Sequence, residues 1–261
     1  KFICESDAKL VEAGDTLFDY LAARNFAATL ASNDMIATPD CDEVYTKFDI
    51  DEIEQRIKDG VEQLEYNFVF AHDADGFEAV KFLHCKFYDR RKLSWVNIVH
   101  EVLSGDAKRE FLGEDTIKLE HWQNQNTNRS GYLKGLAVDV LSNLENDRNA
   151  HYFGRELMYT GRFHSAIAQF ERHIAMQKWP TERSQSMVHM GECYMFLGQV
   201  EEAIKWWSLA FHAEPNRREP LMKLAEYYYG VKNANQTAAY AMDELQIKKS
   251  NYYADFQPYY Q

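Results

Sequence analysis

"YFGRELMYTGRFHSAIAQFERHIA", Tyr152 to Ala175, decides how the second half of this chain is read, because "HMGECYMFLGQVEEAIKWWSLAFH", His189 to His212, repeats its pattern. Gly154 matches Gly191, Gly161 matches Gly198, Ala166 matches Ala203, Ile167 matches Ile204 and Phe170 matches Trp207. The recurrence predicts a unit of two helices joined at a glycine turn, with a small residue where the helices cross closely. A weaker third copy runs from "EPLMKLAEYYYG" (Glu219 to Gly230) into "NQTAAYAMDELQI" (Asn235 to Ile247). Pro180, Pro215 and Pro220 fall between the helices, where proline is tolerated as punctuation.

An array of this kind looks like a tetratricopeptide-type repeat, a pattern that speaks for architecture and says little about chemistry. The chain changes character near Asn146, which predicts an α/β domain over residues 1–145 and a helical repeat domain over 146–261. In the first part, "FDYLAARNFAATLAS" (Phe18 to Ser32) spaces its apolar residues as a helix does, and "DMIAT" is a short apolar strand. "IDEIEQRIKDGVEQL" (Ile50 to Leu64) predicts an amphipathic helix with Ile53, Ile57, Val61 and Leu64 on one face. Alternation around Asp75-Gly76 predicts a hairpin, and "WVNIVHEVL" (Trp95 to Leu103) and "TIKLEHW" (Thr116 to Trp122) predict further strands. "GYLKGLAVDVLSNL" (Gly131 to Leu144) reads as a helix leading into the repeats.

With 46% hydrophobic and 14% aromatic residues, the chain is predicted to fold around a core. Its formal charge of −12, from 41 acidic against 29 basic residues, argues against nucleic acid as a partner, since phosphate neutralisation supplies most of that affinity. No run of apolar residues is long enough for a transmembrane helix, and the first residues lack the pattern of a signal peptide. Cys4, Cys41, Cys85 and Cys193 show no C-x-x-C pair, so reduced thiols in a cytoplasmic compartment are the expectation. No G-x-x-x-x-G-K-[ST] loop is present, which disfavours phosphoryl transfer.

The chemistry concentrates in "IATPDCDEVY", Ile36 to Tyr45, where Asp40, Asp42 and Glu43 crowd together after an apolar strand. Carboxylates that close repel one another unless a cation, a donor cluster or open water relieves them. A D-x-D pair can bind Mg²⁺ or Mn²⁺ through its oxygens, but an acidic turn has the same spelling. "HDADG" (His72 to Gly76) contains a second match, Asp73-Ala74-Asp75, in a predicted hairpin turn where Asp and Gly serve the backbone.

Order separates the two copies. "ARNFAATLASNDMIATPDCDEVY", "KFYDRRKLSWVNIVHEVL", "TIKLEHW" and "YFGRELMYTGRFHSAIAQFERHI" follow one another in a way that resembles the family-2 glycosyltransferases with a GT-A-type domain followed by tetratricopeptide-like helices. The resemblance covers roughly residues 18 to 230 and implies a partial GT-A (Rossmann-like) domain before the repeats. Nothing before Phe18 matches that family's first strand and acidic loop, so the domain is expected to be N-terminally incomplete, and Lys1 in place of Met fits a longer protein.

The resemblance implies Asp40 and Asp42 as the metal motif, with His121 as a further ligand or diphosphate contact, and Arg24 and Asn25 as the nucleotide-facing pair. It implies Mn²⁺ or Mg²⁺, a nucleotide-sugar donor (a UDP-sugar), and a glycan, lipid-linked saccharide or peptide acceptor, with the repeats recognising the acceptor or forming a homodimer. Inversion at an anomeric carbon needs a base for the acceptor's proton, and metal plus arginine for the leaving group. Glu101 is the candidate base, His100 its rival and Asp115 the fallback, while Arg90 or Arg91 can assist at the diphosphate. Strand alternation would point His100 and Glu101 to opposite faces. The competing expectation is a non-catalytic tetratricopeptide-like interaction module, which needs no active site.

Overall fold

Asp19 begins the first described helix by accepting a hydrogen bond from the Ala22 amide at 2.8 Å, one of the orphan donors of a helix start. In the computed structural model, which describes residues 19–122 and 132–248, this helix is α1 (Tyr20–Thr29). It is followed by β1 (Met35–Ala37) and β2 (Glu43–Phe48). Helix α2 (Ile50–Lys58) is capped by Asp49 in the same way and closes at Gly60, whose φ of 83° suits glycine. It therefore stops before Leu64, short of the expected end. Val61 and Leu64 are still buried with Ile53, because the core that takes the helix face also takes the start of β3 (Gln63–His72).

A hairpin joins β3 to β4 (Glu78–Asp89), with the Asp73 carboxylate accepting from the amides of Asp75 and Phe77. "WVNIVHEVL" is not one strand: β5 (Leu93–Val96) turns back through Asn97 and His100, both at positive φ, into β6 (Val102–Gly105). The last strands of this unit are β7 (Arg109–Phe111) and β8 (Ile117–His121). The main sheet has the order β1-β4-β3-β8-β2, with β7 beside β3. Its pairings are antiparallel except where β7 and β8 run parallel to β3.

Strands β1 and β2 lie at opposite edges of that sheet although only the residues from Thr38 to Asp42 separate them. Side chains of β2 nonetheless reach residues of β3 and β4. The Tyr45 and Tyr66 hydroxyls are 3.2 Å apart, and the Phe48 and Phe87 rings are 6.1 Å apart.

A second compact unit holds the helices, and it includes α3 (Tyr132–Ser142), which packs on α4 (Asp147–Tyr159) and so belongs with the repeats. Then come α5 (Phe163–Ala175), α6 (Pro180–Phe196), α7 (Val200–Ala213), α8 (Glu219–Gly230) and α9 (Ala234–Gln246). These pair as the hairpins α4–α5, α6–α7 and α8–α9. The repeat glycines act as the sequence pattern requires: an added Cβ on Gly154 would lie 2.6 Å from the Phe170 ring, and one on Gly191 would run into the Trp207 indole. Gly161 and Gly198 turn the first two hairpins at φ of 77° and 74°. In the third hairpin the corresponding turn residue is Lys232, at φ 60°. A side chain in the left-handed region costs about 1–2 kcal/mol. Lys232→Gly is expected to stabilise the helical unit by about 1 kcal/mol, read as a raised midpoint in urea unfolding. An unchanged or lowered midpoint would contradict a strained turn.

Candidate functional site

The acidic stretch is a β-turn, with the Glu43 amide donating to the Asp40 carbonyl at 3.0 Å and the Glu43 carboxylate accepting from the Asp40 amide at 2.8 Å. Pairing of β1 with β4 sets Ala37 opposite Phe87, and the Thr38 amide donates to the Lys86 carbonyl. The chain therefore leaves the sheet beside Lys86. The Lys86 ammonium lies 2.7 Å from Asp40 Oδ2 and 2.6 Å from Glu43 Oε1, with Lys86 and Glu43 side chains only 6% and 4% exposed. Sequence reasoning missed Lys86; the signal for it is a lone lysine in an apolar strand, "HCKFY".

The other oxygen of Asp40 accepts from Arg24 Nη2 at 2.5 Å, and Arg24 Nε reaches Glu101 Oε1 at 3.2 Å. Arg24 also lies over the Trp95 ring, 4.9 Å from its centroid. Asn25 holds the same residue through its backbone: its amide nitrogen donates to the Trp95 carbonyl and its amide oxygen accepts from the Trp95 amide, both at 3.0 Å. Burial by itself would push the Asp40 carboxyl up, but Lys86 and Arg24 outweigh it and hold it below the usual range.

The expected residues thus divide. Arg24, Asn25, Asp40 and Glu101 come together around Trp95. Glu101 and His100 lie in the β5–β6 turn, so strand alternation does not separate them; His100 stands at φ 55°. Arg90 and Arg91 sit at the other end of β1, where Arg91 binds Asp89 at 2.6 Å and Asp34 at 3.0 Å and Arg90 Nε donates to the Asn33 carbonyl. Asp115 is exposed in the turn before β8, at the opposite end of that strand from His121.

Asp42 faces His121, not Asp40's partners: Asp42 Oδ2 lies 3.2 Å from His121 Nε2, while His121 Nδ1 lies 3.0 Å from the Phe70 carbonyl. The Phe70 carbonyl can only accept, so in that contact Nδ1 is the donor. With Asp40 committed to Arg24 and Lys86, the set Asp40, Asp42 and His121 does not fit one shared divalent ion, and no reaction step follows through one. Of the cysteines, Cys41, Cys85 and Cys193 are free thiols, and burial pushes Cys193 up to about 12; Cys4 lies outside the described residues.

No protein-family model matches the sequence, and no curated protein does. Similar solved structures include the crystal structure of MamA, at 16% identity over 44% of this chain and 66% of that one, with a TM-score of 0.40. A second crystal structure of MamA shares 14% identity over 45% and 62% of the two chains, with a TM-score of 0.38. A third, described as MamA MSR-1 C2, shares 15% over 44% and 64%, with a TM-score of 0.37. The chain spans less than two thirds of the length of each of these three. The resemblance to family-2 glycosyltransferases is corrected by the sheet itself. Its strands run largely antiparallel in the order β1-β4-β3-β8-β2, which is not the parallel sheet of a Rossmann-like domain. The chain is an α/β unit followed by an all-α unit of tetratricopeptide-like hairpins, and no helix among the described residues is long and apolar enough to cross a membrane.

Proposed function

We propose that the helical unit is a protein-interaction module. One observation carries this reading: each hairpin presents a large exposed aromatic ring in the last turn of its first helix. These are Tyr159 in α4, Phe196 in α6 and Tyr229 in α8, with relative exposures of 59%, 71% and 76%. Stacked repeats place equivalent turns along one edge, so the rings recur along the array where a bound chain can meet them. Aromatic side chains are the residues that dominate interface energetics, because they combine large apolar area with few rotatable bonds. Phe196 also stacks on Phe163 of α5, with ring centroids 4.8 Å apart, which joins the first two hairpins along that edge.

Selection of the full chain against a displayed peptide library tests the reading. The expected result is a recurrent peptide motif whose affinity falls at least tenfold in the triple variant Tyr159→Ala, Phe196→Ala, Tyr229→Ala, with a far-UV spectrum that shows a folded protein. A library that yields no motif, or a motif bound equally by the folded triple variant, would overturn it. Light scattering of both proteins separates self-association through the same edge from capture of another chain.

A further inference from the structure

We propose that Asp147, His173 and Glu182 bind one divalent transition-metal ion, Zn²⁺ by preference, that ties the ends of α4, α5 and α6 together. Each residue offers one ligand atom, and these atoms all lie within 4.8 Å of one another. Asp147 follows the cap residue Asn146 at the start of α4, His173 is in the last turn of α5, and Glu182 is in the first turn of α6. An acidic residue in a first turn is favoured by the helix dipole, which accounts for each carboxylate separately. It does not account for two carboxylates of different helices converging on one imidazole.

The imidazole is held for this purpose. His173 Nδ1 lies 2.8 Å from Ser186 Oγ, which fixes the ring and turns Nε2 toward Glu182. Such an outer partner on the second ring nitrogen is the usual support of a metal-ligating histidine. His173 and Glu182 are 2% and 3% exposed, yet Nε2 and Glu182 Oε2 stand 3.9 Å apart. That separation is too long for a hydrogen bond in either tautomer. Tetrahedral metal–ligand bonds of about 2.0–2.2 Å place neighbouring ligand atoms about 3.3–3.6 Å apart, so this pair closes on a common ion with a shift of a few tenths of an ångström. The Lys178 ammonium lies 3.6 Å from Asp147 Oδ1, but its side chain is half exposed and reaches that carboxylate from the surface. One imidazole nitrogen with carboxylate oxygens favours Zn²⁺ over Mg²⁺ or Ca²⁺, which prefer all-oxygen sets.

The test uses the full chain, stripped with a chelator and titrated calorimetrically with Zn²⁺. One equivalent is expected to bind, with the affinity lowered at least tenfold in Asp147→Asn and in Glu182→Gln and unchanged in Asp42→Asn. Co²⁺ on the wild type should give visible absorption bands that Asp147→Asn removes. Glu182 is buried, so its variant counts only where its far-UV melt shows a folded protein; Asp147 is part exposed and its variant decides otherwise. Absence of Zn²⁺ binding by the wild type would overturn the site, as would equal affinity in folded Asp147→Asn or Co²⁺ bands that survive in it.

Discussion

Replacing Gly191 by alanine is expected to destabilise the helical unit by about 3 kcal/mol, the sum of an overpacked crossing and a disturbed buried hydrogen bond. The added methyl would fall well inside contact distance of Trp207 Nε1, and 2.5 Å from Trp207 Cδ1. The indole cannot simply move away, since its Nε1 donates to the Val188 carbonyl at 3.1 Å and the ring is enclosed by Val188, Ala203, Ala210 and Leu224. Gly154→Ala meets only ring carbons of Phe170, the nearest at 2.6 Å, and loses no such bond, so its cost should be smaller, about 1–3 kcal/mol. Urea unfolding followed at 222 nm measures both. Equal midpoints for the two variants would show that the Trp207 hydrogen bond contributes nothing to the difference.

Lys86→Met should have the largest effect in the α/β unit. It removes the ammonium between Asp40 and Glu43 and leaves the nearly buried Glu43 carboxylate without its partner, a change that costs about 3–5 kcal/mol. Adding Glu43→Gln should recover part of the loss, because the uncompensated charge then disappears. The network also has an acid signature. Asp40's folded value is depressed, so its contribution is fully present above the ordinary carboxylate range and is lost as pH falls through the folded value. Wild-type stability should therefore decline below about pH 4, and Lys86→Met should decline less steeply there. A variant that unfolds at the wild-type urea midpoint at pH 7, or with the same acid slope, would contradict the network.

Legibility follows the range of the interactions. The pairs Gly154/Gly191 and Phe170/Trp207 can be matched in the sequence alone because a helix contact sits at a fixed short offset along the chain, and that offset repeats. The end of α2 is hidden for the same cause in reverse: Ile53, Ile57, Val61 and Leu64 keep a helical period across Gly60, although the core receives them from a helix, a loop and a strand. The turn in "WVNIVHEVL" is hidden too, since Asn97 and His100 take positive φ without a glycine to mark it.

By itself the sequence determined an α/β part followed by stacked helical hairpins, and it named Arg24, Asn25, Asp40 and Glu101 as residues worth following. Only the tertiary structure decided what those residues do together. Arg24 and Glu101 are far apart in the chain and meet because α1 packs against β5, and Lys86 enters because β1 pairs with β4. It also separated Asp40 from Asp42, two residues apart, by giving one to Lys86 and Arg24 and the other to His121. The physical reason is that a carboxylate's partner is set by which strands pair around it, and strand pairing is a long-range choice that a short motif does not encode.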